Sequence, residues 1–80
     1  MNAPATFRDG VLSAARSSYL EATNEFRDAE LGLGRATIAD HQGAAVNLSD
    51  AVALHRARQV RLEAARAEHI KAWVAFDASQ

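Results

Sequence analysis

The chain has no cysteine, and in 80 residues it has a single proline, Pro4. The first absence excludes a disulfide framework, a thiolate metal site and a thiol nucleophile, and leaves the redox compartment open. The second leaves everything after residue 4 free of the strongest helix breaker. Aromatic side chains are scarce: one tryptophan, one tyrosine and three phenylalanines. An excess of charge of one sign is also missing, because nine basic and ten acidic residues are interspersed and give a net charge of -1. That balance argues against the basic face of a nucleic-acid binder. No apolar run approaches the ~20 residues of a membrane-spanning helix. Met1 to Thr6 carry neither the basic nor the apolar region of a secretory signal.

What the chain does have is a seven-residue rhythm. Leu12, Tyr19, Phe26 and Leu33 recur every seven positions, and Ala15, Ala22 and Ala29 follow three positions after the first three. In the second half Leu48, His55, Leu62, His69 and Phe76 form one line, and Ala44, Ala51, Arg58, Ala65 and Ala72 the line beside it. Large beside small at this spacing is a coiled-coil seam, and alanine allows the two helices to approach closely. The break between the halves is read at Leu31-Gly32-Leu33-Gly34-Arg35-Ala36-Thr37. Two glycines would end the first helix, and Thr37, with Asp40 three positions on, would start the second. At the amino terminus Thr6, with Asp9, would cap a helix that follows a loose leader. The expected organisation is one unit over residues 1–80: a helix over about 7–31, a turn at about 32–37 and a helix over about 38–78. The second helix would then be roughly 60 Å long at ~1.5 Å per residue.

The second helix carries one more line. Val46, Ala53, Val60, Ala67 and Val74 also repeat every seven residues, on the side away from the seam. A helix with one partner needs one stripe. Two stripes predict neighbours on two sides. A small alanine-rich core with no disulfide and no metal points the same way. The fold expected is therefore all-α: an antiparallel two-helix coiled-coil hairpin that self-associates into a helical bundle. Leu12, Tyr19, Phe26, Leu48, Leu62 and Phe76 are its inter-helix packing residues, and Val46, Val60 and Val74 its second packing face. Trp73 is read as a packing anchor.

The motif Leu33-Gly34-Arg35-Ala36-Thr37-Ile38-Ala39-Asp40, followed by Ala44, Leu48 and Ala51, resembles the hairpin-tip pattern of TolC-type outer-membrane efflux and secretion proteins. Tyr19, Ala22 and Phe26 and the alanine-rich downstream helix extend the likeness over most of residues 11–78. In that family protomers trimerise, strands close a barrel in the outer membrane, and helical hairpins form a periplasmic tunnel whose tips meet an adaptor protein. The resemblance implies that Leu31, Gly32, Leu33, Gly34, Arg35 and Thr37 lie at an adaptor-docking tip. It implies that Asp40 matches the acids that narrow the pore entrance, where a ring of carboxylates favours cations. It places the segment at the periplasmic face of the outer membrane, without inserting into the membrane itself. The chain departs from the family at Gly43, where a second acid is common, and in length: it has no alternating strand of the kind a membrane barrel needs. It is read as one hairpin of such a protein, not a channel by itself. The alternative is an autonomous coiled-coil interaction or oligomerisation module without a transport role.

No enzyme, cofactor or metal is expected. His41, His55 and His69 are spaced fourteen residues apart, and fourteen residues rise ~21 Å, too far for any two to share a metal on one helix. Ser13, Ser17 and Ser18 have no adjacent histidine to activate them. The Gly32/Gly34 pair lacks the Lys-Ser/Thr of a phosphate loop. Arg56, Arg58, Arg61 and Arg66 are expected to pair with Glu63 and Glu68 or with the first helix.

Overall fold

A computed structural model describes the backbone of residues 3–79, with side chains from Asp9 onward. It contains two helices, α1 (Ala3–His41) and α2 (Leu48–Ala78), and no strand among the described residues. The helices run antiparallel as a rod of 64 × 16 × 13 Å. This is the all-α helical hairpin that the seven-residue rhythm predicts.

The rhythm sets the packing. On α1 the apolar lines turn inward, and Leu12, Ala22 and Ala29 are 6%, 1% and 7% exposed. Tyr19, Phe26, Leu33 and Ala36 are half-buried beside them. On α2 the half-buried residues are Leu48, Ala51, His55, Arg58, Leu62, Ala65, His69, Ala72 and Phe76. They step by three and four along the whole helix, as a two-helix seam requires. No residue of α2 is fully buried. A helix that meets one partner leaves most of its circumference in water, and alanine layers add little area.

The turn is elsewhere than expected. α1 runs unbroken through Gly32, Gly34 and Thr37 to His41, and the chain reverses over residues 42–47. Glycine inside a helix costs about 1 kcal/mol relative to alanine. Here Leu33 and Ala36 continue the seam past both glycines, so packing outweighs that cost. Thr37 does not cap a helix: its hydroxyl donates to the Leu33 carbonyl one turn back, at 2.8 Å. The helix ends at Gly43, whose φ of 87° is a left-handed conformation. The Ala44 N–H donates to the Ala39 carbonyl at 2.9 Å and the Gly43 N–H to the Asp40 carbonyl at 3.0 Å. This pair of bonds is a Schellman stop, which takes glycine because a Cβ is strained there. α2 then starts on Asn47, whose side-chain oxygen accepts from the Asp50 N–H at 3.0 Å. Asp50 places its charge at the positive helix start.

At the other end, α1 already includes Ala3. The backbone at Thr6 is therefore helical, and residues 3–5 belong to the helix instead of a leader. The side chain read as the cap lies outside the described ones.

Candidate interaction surfaces

Three surfaces follow from this geometry: the tip, a groove beside it, and the outer face of α2. The tip is built by Gln42, Gly43, Ala44, Ala45, Val46 and Asn47, all exposed. Of the residues expected there, Leu31, Gly32, Leu33, Gly34, Arg35 and Thr37 stand on the last third of α1. Leu31 lies ten residues before the helix end, roughly 15 Å down the rod. Leu33 faces the seam, half-buried, and Leu31, Gly34, Arg35 and Thr37 are exposed. Asp40 sits in the last turn of α1, exposed at the tip itself. Val46 is not on α2 at all. It belongs to the turn, 37% exposed, so the second line of α2 begins at Ala53. The signal that marks the true turn was present in the sequence. Gly43 precedes Asn47-Leu48-Ser49-Asp50, an N-cap with an acid three positions on.

Just below the tip a groove of about 340 Å³ opens between the helices. Ala29, Gly32 and Leu33 of α1 and Ala51 and Leu54 of α2 line it, with Glu25 and Arg58 at its edge. A Cβ on Gly32 would meet nothing within 4 Å.

Two arginines of α2, Arg58 and Arg61, meet acids of α1. Arg58 lies on the seam line and donates to Glu25 at 3.1 Å. Arg61 also reaches Glu25, and it approaches Glu21 at 3.8 Å. The pairing therefore crosses to the first helix. These groups are partly exposed, so each pair contributes about 0.2–1 kcal/mol. A long arginine stem at a seam position covers apolar surface while its head reaches the rim.

Two histidines pack in the seam. His55 lies against Phe26 with centroids 4.9 Å apart, and His69 stacks on Tyr19 at 5.3 Å. Their Nε2 atoms are buried and find no hydrogen-bonding partner among the described residues. His41 is exposed in the last turn of α1, where a positive charge would suit the helix end. The three stay separated along the rod. No group of three or more His, Cys, Asp or Glu among the described residues is placed to hold a metal ion. Trp73, read as a packing anchor, is 43% exposed toward the open end: the Arg16 guanidinium stands 5.9 Å from its ring centre, and Phe76 of the same helix meets it edge-on at 5.5 Å.

The outer face of α2 carries an open line of mostly small apolar residues. Val60 and Val74 are 68% and 64% exposed, opposite the seam. No described helix is long and apolar enough to cross a membrane.

Fold and surfaces together define an antiparallel coiled-coil hairpin with apolar faces beyond its own seam. No family model, no curated protein and no solved structure matches the chain.

Proposed function

We propose that the chain is a helical hairpin of a TolC-like efflux or type I secretion tunnel, its tip docking on the helical hairpin of a periplasmic adaptor. The observation that carries this reading is positional. Residues 33–51, which hold the resemblance, span the end of the rod: the last turns of α1, the reversal and the first turn of α2. The docking surface is then centred on residues 42–47, with Arg35 and Gly34 on its flank and Asp40 as the acid at the entrance. On this reading the segment works at the periplasmic face of the outer membrane, as part of an oligomer, without catalysis. The membrane barrel belongs to strands outside this hairpin.

The test is capture of the purified chain by an adaptor's isolated helical hairpin. Ala45→Arg, at the exposed tip, and Gly34→Leu, on the flank, should each weaken capture at least tenfold with helicity unchanged. Capture that ignores both substitutions, or no capture of the parent chain, removes the reading.

A second reading, an autonomous self-associating module, is favoured by the open apolar line of α2, where Val60 and Val74 are 68% and 64% exposed opposite the seam.

A further inference from the structure

We infer that the outer face of α2 is a self-pairing surface on which a second copy of this chain lies antiparallel. The inference rests on the second reading above, and its first support is exposure: among the described residues Val60 and Val74 are the two most exposed of the large apolar side chains.

The next support is spacing. From Ala53 the outward positions of α2 advance by four and then three: Ala57, Val60, Ala64, Ala67, Lys71, Val74. All of them are exposed. Steps of four and three are those of a second coiled-coil seam, on the side away from α1. Its narrow residues let another helix approach closely.

Charge then selects the direction. In a parallel pair each layer would meet its own copy, and Lys71 would oppose Lys71. The flanking positions, five residues apart across a parallel seam, would bring Arg56 beside Arg61 and Glu63 beside Glu68 of the second copy. Each of these pairs is repulsive. Reversed, with Ala64 against Ala67 of the second copy at the centre, the layers alternate in size. Val74 lies over Ala57 and the Lys71 stem over Val60. The flanks become complementary: Arg56 meets Asp77, and Arg61 meets Glu68. Arg61 already reaches Glu25 and Glu21 within its own chain, so Arg56 with Asp77 carries more of the preference. Such rim pairs fix orientation more than they add affinity. The face is also one that a tunnel would need, so the dimer and a ring of hairpins compete for it.

The chain has no cysteine of its own, so single-cysteine variants of the full chain report the geometry cleanly. In the antiparallel register Ala64→Cys lies near the two-fold axis and should form a disulfide-linked dimer on mild oxidation. Ala53→Cys should not, because the two copies of that position are roughly 38 Å apart along the axis. Sedimentation of the parent chain over a wide concentration range should show reversible dimers. Val60→Glu should raise the dissociation constant at least tenfold, while Leu31→Glu, on the outer side of α1, should leave it unchanged. A chain that stays monomeric throughout overturns both the inference and the self-association reading. Linking through Ala53→Cys as readily as through Ala64→Cys overturns the antiparallel arrangement and leaves self-association standing. The cysteine results hold even if Val60→Glu fails to fold. None of these outcomes bears on adaptor capture, which depends on the tip.

Discussion

Gly32 and Gly34 on one hand, and Gly43 on the other, show how little the residue alone says about chain reversal. The first two lie in regular helix with open space around them. The third adopts a φ of 87° and ends α1. The difference comes from the neighbours. Around Gly32 and Gly34 the seam continues: Ala29 is buried, and Leu33 and Ala36 are half-buried against α2. Gly43 to Asn47 are all exposed and the seam resumes at Leu48, while Asn47 satisfies a free N–H at the next helix start. Glycine permits a turn, but the loss of seam contacts and a good cap decide where it falls.

Substitutions can break or sharpen that contrast. Gly43→Val should have the largest effect. A β-branched residue at positive φ is strained by about 2 kcal/mol. For a chain of this size that lowers the melting temperature by roughly 10 °C. Replacing Gly32 and Gly34 together by alanine should do the reverse. Both positions are helical and unobstructed, so the double variant should gain about 1.5 kcal/mol in denaturant unfolding. A loss there would mean the chain turns at the pair. Asn47→Ala, which removes the bond to the Asp50 N–H, should cost about 1 kcal/mol. Thr37→Ala should change stability by less than about 0.5 kcal/mol, because an exposed hydroxyl bonded one turn back adds little to a helix. A cost near that of Asn47→Ala would show Thr37 acting as a cap. All four comparisons need one fixed protein concentration, since association shifts apparent stability.

The helical lines were legible because the seam repeats the same chemistry at the same interval. Leu12, Tyr19 and Phe26, and Leu48, Leu62 and Phe76, all lie on the inner side. The observed turn lies ten residues beyond the expected one because two close glycines are a louder breaker signal than one. Ala44-Ala45-Val46 has the composition of helix but sits beyond a Schellman stop. Val46 falls on the outer line of α2 by spacing alone. The cross-helix pairing of Arg58 and Arg61 with Glu25 was open to guesswork only, since it depends on the register of two antiparallel helices. That register is set by where the turn falls. The tip matters for the same reason: moving it from residues 31–37 to 42–47 changes which side chains a docking partner would meet. None of the residues expected at the docking tip lies in that reversal, and Asp40, expected as the pore-entrance acid, stands beside it in the last turn of α1.

Residue-resolved Cα chemical shifts over residues 28–50 test the placement of the tip most directly. The account predicts helical shifts without interruption from Ala29 to His41, a break over residues 42–47 centred on Gly43, and helix again from Leu48. A break at Gly32–Gly34, with helical shifts running through Ala44 and Val46, would contradict it.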